Sequence, residues 1–165
     1  MSKTQEYLKE AFAGESQANR KYLAYAKKAD EEGYAQVARM FRAAAAAETV
    51  HAHNHLRAMK GIGSTEANLK DAVAGETHEF EHMYPEMIEA AKAEDAKEAL
   101  RSFEWANTVE KVHADLYQKL LDNLGGDVGD YAYYVCPVCG YTQGGSAPDR
   151  CPVCNAKGDR FMKVD

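Results

Sequence analysis

The sequence predicts a mainly α protein: a four-helix bundle over residues 1–124, a linker at 125–130 and a small metal-held β domain over 131–165. Three observations lead there. Apolar residues recur at steps of three and four through the first 124 residues, the period of amphipathic helices. All four cysteines follow that region, as Cys136-Pro-Val-Cys139 and Cys151-Pro-Val-Cys154. The tail carrying them is short and rich in glycine and proline. A segment that small cannot bury a self-sufficient core, so a metal must hold it together.

Ser2 or Thr4 can cap the first helix, which runs to about Glu32 and is stopped by Gly33. Its stripe is Leu8, Phe12, Glu15, Tyr22 and Ala26. The second helix is expected from about Tyr34 to Met59, with Val37, Phe41, Ala44, Glu48 and His51 on one face. Lys60-Gly61-Ile62-Gly63 is a break, after which Ser64 or Thr65 caps a third helix bearing Leu69, Val73, Glu76, Phe80 and Met83. Pro85 lies inside that helix and should kink it or remove one ladder bond. Asp95, with Glu98 three residues on, reads as a capping-box start for the fourth helix. That helix carries Leu100, Phe103, Asn107, Glu110, His113 and Tyr117, and ends near Leu124-Gly125-Gly126.

The bundle sequence is internally repeated. Ala13-Gly14-Glu15-Ser16 is echoed by Ala74-Gly75-Glu76-Thr77, and each lone Glu is followed 33 or 34 residues later by Glu-x-x-His. Residues three apart on a helix share a face, so Glu48 and His51, and likewise Glu110 and His113, point at one spot. Two such pairs plus one Glu from each remaining helix form the donor set of a dinuclear iron or manganese bundle. These glutamates interrupt apolar stripes, so folding buries them, and cations remove the cost of burying several carboxylates together. A single Glu-x-x-His is usually a solvated pair; two copies at matched spacing, each with its stripe Glu, point to a dinuclear site. By spacing alone Glu79 is equally an extra ligand or a surface charge. His53, His55, His78 and His82 read as structural or surface residues. Tyr22 and Tyr84 read as core residues, Tyr22 lying two turns from Glu15 on the same stripe.

Two Cys-x-x-Cys pairs separated by eleven residues define a mononuclear tetrahedral sulfur site. Zinc and iron both accept four thiolates. The knuckles Cys136-Pro-Val-Cys139-Gly140-Tyr141 and Cys151-Pro-Val-Cys154 resemble those of rubredoxin, and the neighbouring dinuclear site, which needs an electron feed, favours iron.

Over essentially its whole length the chain resembles rubrerythrin, a ferritin-like di-iron four-helix bundle followed by a rubredoxin-like domain. The residues that carry the resemblance are Gly14-Glu15, Glu48-x-x-His51, Gly75-Glu76-x-x-Glu79, Met83-Tyr84-Pro85, Glu110-x-x-His113, Ala147-Pro148-Asp149 and the four cysteines. The resemblance implies seven ligands to an oxo- or carboxylate-bridged non-haem di-iron centre: Glu15, Glu48, His51, Glu76, Glu79, Glu110 and His113. It implies one iron held by Cys136, Cys139, Cys151 and Cys154, and an exchange of Glu79 for His51 at one iron as the redox state changes. Tyr22 and Tyr84 match tyrosines beside the iron-bound oxygens. The implied activity is a peroxidase-type reduction of hydrogen peroxide to water, in defence against oxidative stress. Electrons would come from an external donor such as a rubredoxin or an NAD(P)H-dependent reductase, since the chain has no Gly-x-Gly-x-x-Gly of its own. A competing reading is an iron-handling oxidase or store with a structural zinc ribbon. It shares the bundle ligands but needs no redox domain.

Chain length adds an expectation about assembly. In ferritin-like bundles helices two and three run parallel. Glu48 to Lys60 is ~18 Å of helix and Thr65 to Glu76 ~16 Å, so level glutamates need a link of ~34 Å. Residues 60–64 reach at most ~17 Å. Either the bundle is plain up-and-down, or helices one and two pair with three and four of another subunit. The resemblance selects the second, a domain-swapped homodimer.

Composition excludes other classes. A net charge of -6 argues against nucleic acid or an anionic membrane as partner. No apolar run approaches the ~20 residues of a membrane span, and the first residues lack the apolar core of a secretory signal. Cysteines confined to one paired-knuckle site suit a reducing cytoplasm.

Overall fold

The computed structural model describes residues 2–165. The chain forms two compact units, divided between Gly63 and Ser64. No helix among the described residues is long and apolar enough to cross a membrane.

The first unit is an antiparallel hairpin of α1 (Lys3–Glu31) and α2 (Ala35–Ala58). Ser2 supplies the N-cap, its Oγ accepting from the Gln5 amide. Gly33, at φ 83°, closes α1: the Tyr34 amide reaches back to the Ala29 carbonyl, a bond only a left-handed residue allows. Alanines form the seam. Ala26 and Ala29 on α1 and Ala38, Ala45 and Ala52 on α2 are buried, and side chains this small let the two helices approach closely. Across the seam the Asn19 amide donates to the Ala45 carbonyl at 2.7 Å and to Thr49 Oγ1 at 2.8 Å. Tyr22, Tyr25 and Phe41 stack nearby.

The second unit begins with α3 (Thr65–His78), capped by Ser64. The expected third helix is a continuous rod in three parts: α3, a π-helical turn at Glu79–Met83, and α4 (Tyr84–Ala93). Within the turn the Tyr84 amide donates to the Glu79 carbonyl five residues back. Pro85 follows at once, in the first turn of α4. Proline has no N–H to give and crowds the carbonyl four residues before it; a widened turn accommodates both, so the rod continues without breaking.

The fourth expected helix is α5 (Lys97–Asp122), and its start differs from the sequence reading. Asp95 is not its N-cap. It stands at φ 51° as the left-handed residue that ends α4, with the Ala96 amide bonded to the Ala91 carbonyl. Ala96 occupies the N-cap position, with no side-chain cap. Aspartate tolerates the left-handed conformation, so the residue type was read correctly as a boundary and assigned to the wrong helix.

The C-terminal part of this unit is an antiparallel sheet in the order β2-β1-β3: β1 (Tyr133–Val135), β2 (Thr142–Gly144) and β3 (Met162–Val164). The β2 end packs on α5: Val109 is 2% exposed, and a Cβ on Gly140 would lie 3.8 Å from its Cγ1.

Candidate metal centres

The internal repeat of the sequence is a repeat of geometry. In the first unit, α1 presents Glu15 and α2 presents Glu48 and His51; one ligand atom from each lies within 4.8 Å of the other two. In the second unit, Glu76 of α3 and Glu110 and His113 of α5 do the same. His51 Nδ1 is 2.8 Å from Glu48 Oε2 and 3.9 Å from Glu15 Oε1. The matching distances for His113 are 2.8 Å to Glu110 and 3.8 Å to Glu76. Each unit thus holds two carboxylates and one imidazole on one helix pair, as the three-residue spacing dictates.

The two clusters differ in their surroundings. The His51 side chain is 53% exposed within its unit and that of His113 only 26%. Around His113 the electrostatics show a deficit of positive charge. Burial and then the Glu110 carboxylate push Glu76 up to about 7. Burial and Glu110 also raise Glu79, and burial with Glu110, Glu79 and Glu76 raises the Tyr84 phenol. His113 is held above the usual imidazole range, chiefly by its hydrogen bond to Glu110. A divalent cation would relieve all of these at once.

Glu79, at the start of the π-helical turn, is not one of the three mutually close ligands, though it feels the charge of Glu110 and His113. Tyr84 faces the same carboxylates and packs against Phe103. Tyr22 lies in the aromatic cluster with Tyr25 and Phe41. His78 and His82 stack on each other with centroids 5.6 Å apart, outside both three-ligand groups.

The four cysteine sulfurs also lie within 4.8 Å of one another, with none in a disulfide. The knuckles that hold them are near copies. Cys136 receives the Gly140 amide and donates to the Tyr141 carbonyl; Cys151 receives the Asn155 amide and donates to Ala156. Gly140 and Asn155 occupy equivalent left-handed positions, at φ 85° and 63°, and glycine and asparagine are the residues that accept it. Burial opposes ionisation of Cys136, yet the Cys139 and Val138 amides and the neighbouring thiols outweigh it and bring the thiol to about 7. Burial raises Cys139 and Cys154. Four thiolates in one small hole need a cation, and four sulfurs disposed this way suit a single iron.

Thr142, near the carboxylates, carries no sequence signal of its own, whereas Gly140 is part of the knuckle motif. Thr142 Oγ1 is 3.0 Å from His113 Nε2, and it donates at 3.0 Å to the Gly140 carbonyl. Both belong to the cysteine module, and their nearness to α5 is a product of packing.

Glu76, His113 and Thr142 help to line a cavity of about 310 Å³, together with Leu116, Tyr117, Leu120 and Tyr133.

The donors fit a di-iron centre together with one Fe(Cys)4 centre. Comparison with known proteins agrees. A family model described as Rubrerythrin matches residues 6–121, and one described as Rubrerythrin, rubredoxin-like domain matches residues 134–162. Rubrerythrin-2 of Clostridium acetobutylicum is 36% identical, over 96% of this chain and 95% of that protein. Nigerythrin of Nitratidesulfovibrio vulgaris is also 36% identical, over 96% and 85%. Among solved structures, fully reduced, all-ferrous nigerythrin aligns with a TM-score of 0.61 at 34% identity, covering 99% of this chain and 88% of that one. One family model spans both Glu-x-x-His pairs and the other spans all four cysteines, so this chain belongs to the rubrerythrin family.

Proposed function

We propose that the chain is a peroxide reductase: hydrogen peroxide, two protons and two electrons become two waters. The observation that carries this reading is the docking of the cysteine module on the helix that bears Glu110 and His113, with Thr142 hydrogen-bonded to His113. A structural ribbon has no need to touch a side chain of the carboxylate–histidine cluster, whereas an electron feed does. In this reading Glu15, Glu48, His51, Glu76, Glu79, Glu110 and His113 hold two irons, and Cys136, Cys139, Cys151 and Cys154 hold one.

When bound, the iron pair supplies both electrons for cleaving the O–O bond, and the sulfur-bound iron restores them singly. The side chains do the rest. Tyr84 Oη keeps its proton at neutral pH, because burial disfavours the phenolate, and so stands as a hydrogen-bond donor toward the reacting oxygens. Tyr22 takes the matching role from α1. Glu79, on the widened turn, and His51, the more exposed imidazole, are the two side chains with room to exchange. An external donor, a rubredoxin or an NAD(P)H-dependent reductase, reloads the protein in a reducing cytoplasm.

Each unit carries half of the ligands, and the proposal includes a domain-swapped homodimer in which the halves of two chains complete each other. The observed helix ends support it. Glu48 to Ala58 is ~15 Å and Thr65 to Glu76 ~16 Å, so level glutamates on parallel helices need ~31 Å. The seven steps from Ala58 to Thr65 span at most ~25 Å.

The test is anaerobic. The iron-loaded protein is fully reduced and given one equivalent of hydrogen peroxide while the visible bands of the ferric sulfur site are followed, with its mass measured by sedimentation. Rapid return of the bands from a dimer is expected. A sulfur site that stays reduced, or that natively holds zinc, sinks the peroxide reading; a monomer with both irons bound sinks the swap.

A further inference from the structure

Hydrogen-bond direction around His113 fixes which of its nitrogens is tied to the cysteine module. Thr142 has one hydroxyl proton, and it goes to the Gly140 carbonyl, 3.0 Å away. The same oxygen lies 3.0 Å from His113 Nε2 and therefore accepts. The Gly140 carbonyl, which can only accept, also acts on the ring. An accepting oxygen at 3.0 Å leaves Nε2 as the N–H. Nδ1, the nitrogen that faces Glu110 Oε2 at 2.8 Å and Glu76 Oε2 at 3.8 Å, is then the one left to meet a cation, which would displace the proton it shares with Glu110.

We infer that Thr142, a residue of the cysteine module, is a positioning residue for the carboxylate site: it holds His113 in the Nε2–H tautomer and presents Nδ1 as the ligand atom. This inference rests on the di-metal reading above. A ligating imidazole whose second nitrogen donates to a fixed acceptor is more basic and cannot rotate away, and loss of such a partner typically costs 10–100-fold in metal affinity. Here the acceptor is supplied by the other metal module. The path from Cys139 through the Gly140 carbonyl and the Thr142 hydroxyl to His113 stays inside one polypeptide and contains two hydrogen bonds. The repeat breaks symmetry at this point: His51 makes the same Nδ1 contacts but has no Nε2 partner among the described residues of its unit, and its side chain is twice as exposed. Thr142 thus makes His113 the fixed imidazole and leaves His51 the mobile one.

The test compares the full chain with Thr142→Val, which keeps the shape and the β-branching suited to a strand, and with Thr142→Ser, which restores the hydroxyl. With the cysteine site filled by zinc, cobalt(II) is titrated into the carboxylate site. In the zinc-filled form of each protein, exchange of the His113 Nε2–H is followed by NMR on 15N-histidine-labelled material. Thr142→Val is expected to weaken cobalt binding about 10–100-fold and to turn a slowly exchanging Nε2–H into a fast one, while Thr142→Ser recovers both. Wild-type cobalt affinity and slow exchange in Thr142→Val overturn the inference. Failure of the wild-type carboxylates to take up cobalt at all overturns the di-metal reading instead, so the two failures are distinct.

Discussion

Replacing Val109 by alanine probes the contact on which the intrachain coupling depends. Val109 is 2% exposed, one residue before Glu110, and its Cγ1 lies 3.8 Å from where a Cβ on Gly140 would stand. The substitution removes two methylene-sized groups from a fully buried position, about 1.6 kcal/mol of transfer free energy, and the cavity left behind raises the cost to about 2–3 kcal/mol. Gly140 cannot close the gap by taking a side chain, because its φ of 85° is a left-handed conformation. Urea unfolding of the metal-loaded protein, followed by far-UV circular dichroism for the helices and by visible absorption for the iron–sulfur site, measures the loss. With m near 2 kcal/mol/M, the midpoint should fall by about 1 M or more. Val109→Thr, which keeps the volume, should lose less through packing. A change below about 0.5 kcal/mol in Val109→Ala, the range of an ordinary surface substitution, would refute the claim that this side chain locks the module onto α5.

Two further predictions follow from the geometry. Glu76 and His113 both have folded-state values above their ordinary ones, so the metal-free fold binds extra protons. The stability they contribute is full below the ordinary carboxylate value and falls as pH rises through about 7 for Glu76 and through the raised value of His113. The groups facing Glu76 are Glu110 and His113 of α5 and Glu79 of the π-helical turn. Thermal unfolding of the metal-free protein should therefore weaken from pH 5 to pH 8 more steeply than that of the metal-loaded form; parallel profiles would contradict the charge deficit. At the α4–α5 turn, Asp95→Gly should stabilise by about 0.5–1 kcal/mol in chemical denaturation, because glycine occupies the left-handed position without strain. A loss of stability would restore Asp95 as the helix cap.

Most of the donor clustering is legible in the chain. Helical spacing of three residues is local geometry, so Glu48 with His51 and Glu110 with His113 share a face whatever surrounds them. Each also meets the lone Glu of the preceding helix of its pair, as the repeat at Glu15 and Glu76 indicates. Cysteine spacing fixed the tetrahedral site for the same reason: Gly140 and Asn155 turn each knuckle within five residues. Pro85 signalled a disturbance without revealing its form, since a kink and a π-helical turn both relieve a missing amide. Asp95 was misassigned because left-handed C-caps and N-caps draw on the same short polar residues.

Tertiary packing alone decided what separates the two halves of the repeat. The chain writes them with the same residue types, and nothing in the local pattern around Thr142 marks it as a neighbour of His113, 29 positions earlier. That contact exists because β2 packs on α5, a long-range outcome with no periodic signal. The sequence by itself thus determined which Glu, His and Cys side chains cluster, because helix and knuckle geometry are local. Only the fold gives the second nitrogen of His113 a partner, because a hydrogen bond between distant segments depends on where the core places them.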